Sequence, residues 1–280
     1  MNFNIKQVLA ELSSGGFEQK REMPSRKIII SIIKSMQSLM FPGFFEAGDG
    51  CEQEPEERLS VLTEALVEQI EIATGKGVDY ARDIAEEIIA ILPMIQRRLM
   101  KDVRAIYEGD PAASCCEEVV LSYPGFYAIS IYRIAHEFYL RKIPFISRIM
   151  TEFAHEKTGI DIHAGATVGD YFCIDHGTGI VIGETTVIGD RVKIYQGVTL
   201  GAKSFELDEN GNPVKGIKRH PEIGNNVVIY ANATILGGNT KIGDNCVIGG
   251  NVWLTHSVPE GKVVYYNSES KGKKACITFN

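Results

Sequence analysis

Over residues 161–258 an aliphatic side chain returns at every sixth position, in four phased runs. The first is Ile162, Val168 and Ile174, and the second is Ile182, Ile188, Ile194 and Leu200. Ile223, Ile229 and Ile235 form the third, and Ile242, Ile248 and Leu254 the fourth. Glycine follows the aliphatic residue at Val168, Ile182, Ile188, Leu200, Ile223, Ile242 and Ile248. Repetition at this period is the mark of a parallel β-helix. About three hexapeptides complete a coil, the aliphatic side chain points inward, and the small residue lets the chain turn a tight corner. One repeat cannot bury its own apolar face, so the core exists only in the stack.

The phase breaks in three places. Ile174 to Ile182 is eight residues, two more than the period, and His176 lies in that gap. Between Leu200 and Ile223 the stretch "AKSFELDENGNPVKGIKRHP" has to leave the coil as a loop, with a hairpin signal at Asn210-Gly211. Ile235 to Ile242 is seven residues, a one-residue bulge at Gly237-Gly238. A wall bulges where the chain must present something. Two of the three breaks carry a histidine, His176 and His220. The expectation is that the extra residues at "CIDHGTG" let Asp175 and His176 leave the wall together.

Residues 1–160 have a different periodicity. Leu62, Leu66 and Ile70 fall four apart, and Ile84, Ile88, Ile91, Ile95, Leu99, Val103 and Ile106 recur at three to four. Pro93 should kink or divide that second helix. "PGFYAISIYRIAHEFYLRK" and "IPFISRIMTEFAHEKTG" are two more helical candidates, the last with Gly159 as its C-cap. Residues 43–58 look like a loop. The expected architecture is α+β: an all-α domain over 1–160, a β-helix over 161–260, and a tail over 261–280.

The net charge of −7 and pI near 5.5 make a general nucleic-acid binder a poor reading, although a local site for an anion remains possible. The six cysteines, Cys51, Cys115, Cys116, Cys173, Cys246 and Cys276, form no CxxC pair and no zinc-ligand spacing. They read as free thiols of a reducing cytosol. The N-terminus lacks the apolar region and cleavage site of a signal peptide. "IIISIIKSM" is too short to span a bilayer and contains Lys34.

The run "DIHAGATVGDYFCIDHGTGIVIGETTVIGD" resembles the corresponding stretch of serine O-acetyltransferases, as do "VKIYQGVTLG", "RHPEIG" and "GDPAA" near residue 110. The resemblance extends from about 102 to 260. It implies a left-handed coil and homotrimers, or dimers of trimers, with active sites between neighbouring subunits. It implies transfer of acetyl from acetyl-CoA, a co-substrate rather than a tightly bound cofactor, to the hydroxyl of L-serine. L-cysteine is the feedback inhibitor implied, and cysteine biosynthesis in the cytoplasm the setting.

A serine hydroxyl needs a base, and His176 in "IDHGTG" is the candidate. By resemblance its orienting carboxylate is Asp161, 15 residues earlier and just under one coil away. Asp110 and Asp175 match the family's positions for the substrate ammonium, although Asp110 before Pro111 is also a helix-terminating turn. Arg219 would take the substrate carboxylate, with His220 closing beside it. The family's CoA contacts fall on Gly201, Ala202, Ala231 and Gly250. Ala202 stands where many members have glycine, and Tyr230 and Asn232 flank Ala231 where smaller residues are common. His136 and His155 read as structural or exposed, His163 as a corner residue, and His256 as lying at the coil's end. The closely spaced histidine pair of zinc β-helix enzymes is absent, so no metal is expected.

The chain ends in Asn280, whereas many members end in the isoleucine that enters cysteine synthase, so that complex is not expected here. Readings that stay open are an O-acetyltransferase for a sugar or other small alcohol, which would not need the Asp110, Asp175 and Arg219 clamp, and a scaffold without turnover.

Overall fold

A computed structural model describes residues 4–15, 21–45, 54–267 and 276–279. Seven helices come first: α1 (Ile5–Gly15), α2 (Arg26–Met40), α3 (Pro55–Thr74), α4 (Val78–Gly109), α5 (Cys116–Ser122), α6 (Pro124–Leu140) and α7 (Ile146–Thr158). Leu62, Leu66 and Ile70 are buried as their spacing requires, and Gly159 caps α7 in the left-handed region with its N–H on His155 O at 2.8 Å. Two expectations are corrected. Pro93 does not divide its helix: α4 runs unbroken through it for 32 residues. Proline removes one donor, but Ile88, Leu92, Ile95, Leu99, Val103 and Ile106 form one buried stripe across the break and hold both halves against their neighbours. Residues 55–58 are not loop, because Pro55 opens α3 with Glu56 and Glu57 in its first turn, where proline and acidic side chains are favoured.

The coil follows in about five turns. The first holds β1 (Asp161–Ile162), β2 (Thr167–Val168) and β3 (Cys173–Asp175). The second holds β4 (Val181–Ile182), β5 (Val187–Ile188) and β6 (Lys193–Tyr195). The third holds β7 (Thr199–Gly201), β8 (Glu222–Ile223) and β9 (Val228–Ile229), and the fourth β10 (Thr234–Leu236), β11 (Lys241–Ile242) and β12 (Val247–Ile248). The last has β13 (Trp253–Leu254) and β14 (Val263–Asn267), and β15 (Cys276–Phe279) returns along β14. Equivalent strands of successive turns pair in parallel. The first sheet is β1-β4-β7-β10-β13, the second β2-β5-β8-β11, and the third β3-β6-β9-β12-β14 with β15 antiparallel at its edge. Asn280 and Cys51 lie outside the described residues.

All thirteen phased aliphatic residues are buried. A second inward row stands two positions before them, in Ala166, Phe172, Ile180, Val192, Val198, Val227, Ala233, Cys246 and Val252. It mixes sizes too freely to show as a repeat. The glycines serve a different purpose from the one expected. Gly169, Gly189, Gly224 and Gly243 lack a positive φ; a Cβ on any of them would strike the backbone of the next coil, at 2.5–2.9 Å. The turn itself is made two residues later, by Tyr171, Arg191, Asn226 and Asn245 at φ 55–60°. Gly189→Ala would put its methyl 2.9 Å from the Gly224 carbonyl carbon, which the parallel ladder holds fixed. We expect it to cost about 1–3 kcal/mol, read from urea unfolding.

The helical region docks on the first coil through ionic contacts. Arg133 of α6 makes a two-pronged pair with Asp102 of α4, side chains 2% and 0% exposed. Asp102 Oδ1 also accepts the Phe172 N–H at 2.9 Å, and Arg133 donates to Gly169 O at 2.8 Å. Arg98 and Lys101 of α4 both reach Asp170, at 2.8 and 2.7 Å.

Candidate active site

The eight-residue gap is a corner between the third sheet and the first. Asp175 does not leave the wall with His176, as the sequence suggested: it is the last residue of β3, in register with Tyr195. A strand residue whose side chain already points outward has no need to leave. His176 does leave, at φ 56°, followed by Gly177 at 91° and Gly179 at 82°. Such backbone disfavours a side chain with a Cβ, and the two extra residues are what let one stand there. Gly177 is required by contact as well, since a Cβ would lie 2.5 Å from Ile160 Cδ1. The turn is laced to the end of α7 by Gly179 N–H to Gly159 O at 2.8 Å and by Asp161 N–H to Ile180 O at 2.9 Å.

The His176 side chain is 71% exposed, with Nε2 3.7 Å from Asp175 Oδ1. The other Asp175 oxygen, Oδ2, takes Lys193 Nζ at 2.9 Å. Lys193 also donates to Gly109 O, the last residue of α4, at 2.6 Å, and lies 4.5 Å from the Tyr195 ring centre. Burial opposes its charge, but Tyr195 and Asp175 outweigh that and hold its pKa above the ordinary lysine value. Asp110 follows directly as the cap of α4. Its Oδ1 accepts the Ala112 N–H at 2.8 Å and its Oδ2 the Tyr123 hydroxyl at 2.7 Å. The Tyr123 bond, then the Ala112 bond, keep the Asp110 carboxyl below the usual range, while Asp110 pushes the Tyr123 phenol up to about 12. Asp110 therefore terminates the helix and faces the cluster at once. Asp161 stands at the foot of the same corner in β1, half-buried; among the described residues no hydrogen bond or ion pair joins its carboxylate to His176.

Arg219 and His220 form a separate cluster, on the corner between the first and second sheets. His220 Nδ1 accepts the Thr185 N–H at 3.0 Å and lies 2.9 Å from Thr185 Oγ1, which takes the N–H groups of Arg219 and His220 at 3.0 and 3.1 Å. Nδ1 is thus an acceptor and the ring proton belongs on Nε2. Burial, then the Arg219 charge, lower the His220 pKa to about 4, so the ring is neutral at pH 7. It lies flat on Gly183, where a Cβ would be 2.1 Å from Cδ2. The Arg219 guanidinium is paired with Glu184, whose other oxygen takes the Tyr139 hydroxyl at 2.9 Å. Burial resists the charge on Glu184, and Arg219 with Tyr139 prevail, leaving its pKa lowered. His163 turns its corner by accepting the Gly165 N–H at 3.0 Å. Arg219, Glu184 and His163 border a pocket of about 1060 Å³, lined on its other side by Phe205 and Val214 of the long loop. The loop's tip is the expected hairpin, closed by Asp208 N–H to Asn212 O at 2.8 Å with Gly211 at φ 79°.

The small residues divide in the same way. Ala231 and Gly250 stack coil on coil above His176: Asn251 N–H bonds Ala231 O at 2.9 Å, and a Cβ on Gly250 would meet that oxygen at 3.1 Å. Between them and His176 come Gln196 and Gly197, the latter bonded to Thr178 O at 3.0 Å. Gly201 and Ala202 belong to the other corner, at the foot of the long loop. The chain thus brings together Asp110, Asp175 and His176 with Ala231 and Gly250, and Arg219 and His220 with Gly201 and Ala202, and keeps the first sheet between the two groups. Tyr123, Lys193 and Glu184 escaped the sequence reading. Of the other histidines, His136 Nδ1 meets Ala164 O at 2.7 Å, His155 lies 3.6 Å from Glu152, and His256 lies 3.1 Å from Thr255. Among the described residues no three side chains cluster as a metal site, and no helix is long and apolar enough to cross a membrane.

Residues 59–130 match the family model of the serine acetyltransferase N-terminal region, and residues 220–256 that of the bacterial transferase hexapeptide. The plasmid serine acetyltransferase of Synechococcus elongatus is 43% identical over 265 residues, covering 88% of this chain and 83% of its own. Serine acetyltransferase 1 of Entamoeba histolytica, solved in complex with L-cysteine, superposes with a TM-score of 0.74 at 34% identity, covering 92% of this chain and 96% of its own. A serine acetyltransferase solved in complex with CoA gives 0.58 at 27% identity, covering 90% and 99%.

Proposed function

We propose that this chain, which belongs to the serine acetyltransferase family, moves an acetyl group from the sulfur of acetyl-CoA to the hydroxyl of L-serine. The products are O-acetyl-L-serine and CoA, and the coil is left-handed like that of its relatives. The observation that carries the reading is the solvent-facing imidazole of His176 standing against Asp175 at the corner where Asp110 also ends its helix.

His176 accepts the hydroxyl proton through Nε2 as the serine oxygen attacks the thioester carbonyl. The C–O bond forms, the C–S bond breaks, and the departing sulfur takes a proton from the imidazolium. Asp110 and Asp175 are the acceptors for the substrate ammonium. Asp161, beside the His176 turn, is placed to steady the imidazolium once neighbouring side chains settle around substrate. Acetyl-CoA lies along the column of small residues that rises from His176 through Gly197 to Ala231 and Gly250.

Arg219 and His220 complete the site from a second copy of the chain. The division of the groups over two corners supports this: a coil packed about a three-fold axis presents one corner of each copy to the next, and each interface then holds both halves. Arg219 would exchange Glu184 for the substrate carboxylate, and neutral His220 would offer its Nε2 proton beside the reacting oxygen. L-cysteine, which differs from serine by sulfur for oxygen and occupies the relative from Entamoeba histolytica, fits the same groups as an inhibitor. Free Cys115, Cys116, Cys173 and Cys246 suit a reducing cytoplasm.

The test is thiol release from acetyl-CoA with L-serine, L-homoserine and simple sugars as acceptors. Serine is expected to exceed the sugars by at least about 10⁴-fold in kcat/KM, because a site built around ammonium and carboxylate leaves buried polar groups unpaired with any other alcohol. A sugar turned over as fast as serine would keep the fold and sink the assignment.

A further inference from the structure

We propose that Lys193 is a positioning residue that sets both the geometry and the net charge of the amino-acid pocket; the inference rests on the function just given. Lys193 stands in β6 one coil above Cys173, at an outward position where a lysine ordinarily reaches for water. Here the end of α4 covers it, and its side chain is 16% exposed. The ammonium is used twice. It holds Asp175 Oδ2 at 2.9 Å, which turns the remaining oxygen, Oδ1, toward His176. It holds Gly109 O at 2.6 Å, which ties the end of α4 to the coil and fixes the starting point of Asp110.

One cation therefore spaces two carboxylates that come from different parts of the fold. It also sets the charge. Two carboxylates facing one pocket repel each other, and without a counterion one of them tends to take up a proton. With Lys193 between them, Asp110 and Asp175 present a net charge of minus one, the complement of a single ammonium group. Tyr123 adds to this by donating to Asp110, leaving that carboxylate ionised and oriented.

Asp175 stands against His176, and Asp110 at the end of α4 feels the charges of both His176 and Lys193. Lys193 is the cation on the second Asp175 oxygen, so removing it leaves His176 in a more negative setting. Lys193→Met and Lys193→Arg separate the roles. For Lys193→Met we expect KM for L-serine to rise about tenfold, KM for acetyl-CoA to stay within about twofold, and kcat to fall by less than KM rises. In the same variant the His176 ring resonances, followed by NMR without substrate at fixed pH, should move, because Asp175 is no longer held by Lys193. Lys193→Arg keeps the cation and two donors, and should recover most of both effects.

An unmoved serine KM together with unmoved His176 ring resonances would overturn the proposal. So would an equal rise in both KM values with a lowered unfolding temperature, which is the sign of a merely structural lysine. If the parent releases no CoA with serine, the proposed reaction fails, yet the His176 ring resonances still decide whether Lys193 governs the setting of that imidazole.

Discussion

His176→Ala should lower kcat with L-serine by roughly 10²–10⁴-fold while leaving KM for acetyl-CoA nearly unchanged. A positioned base contributes on that order, and the rate that survives is what proximity of two bound substrates supplies without one. The position has a complication, because its backbone sits at φ 56°, where the identity of the side chain affects stability as well as chemistry. His176→Asn is the better control. Asparagine tolerates the left-handed region and cannot take a proton at pH 7. Thiol release should collapse in His176→Asn as it does in the alanine variant, with the unfolding temperature within a degree or two of the parent's. A His176→Asn enzyme retaining more than about a tenth of the parental kcat would take the base away from His176.

The second large effect is on folding. Arg133→Met should destabilise the chain by about 3–5 kcal/mol, because it leaves the Asp102 carboxylate buried with no counterion. Little else can compensate. Asp102 keeps the Phe172 N–H, while Gly169 O loses a donor on the side that faces α6. The double replacement Asp102→Leu with Arg133→Met should cost less than Arg133→Met alone, since two apolar side chains leave no stranded charge. Urea unfolding of the four proteins in that cycle measures the coupling. If the single and double replacements proved equally unstable, the ion pair would be incidental and the loss would belong to packing.

What could be read from the sequence followed from how strictly each position is constrained. The phased aliphatic residues declared the coil because every one of them fills the same kind of place, inside a narrow stack. The break at "CIDHGTG" could be read for the same reason, since a strict period exposes any departure from it. Its content was half right: His176 leaves the wall and Asp175 does not. The second inward row stayed hidden because Ala, Phe, Val and Cys all serve there, the size being set by neighbours from other coils. Pro93 misled because a local rule about one missing donor was outweighed by a long buried stripe. Lys193 could not have been found by pattern. An outward lysine in a strand looks like any solvated lysine until the end of α4, some 84 residues earlier, is laid over it. Glu184 was missed likewise, its partners Tyr139 and Arg219 lying 45 and 35 residues away.

A stack of parallel coils has two open ends, and each end offers unpaired backbone donors and acceptors to any other strand. At the first coil that hazard is met by helices, since α4, α6 and α7 pack against its strands. At the far end β15 reverses direction and pairs antiparallel with β14 along the rim of the third sheet. A further coil laid there would have to pair in parallel, and the rim no longer offers a parallel template. Along the third sheet the reversed strand thus works as a terminator: it closes that edge to a further parallel strand and so opposes end-to-end growth there.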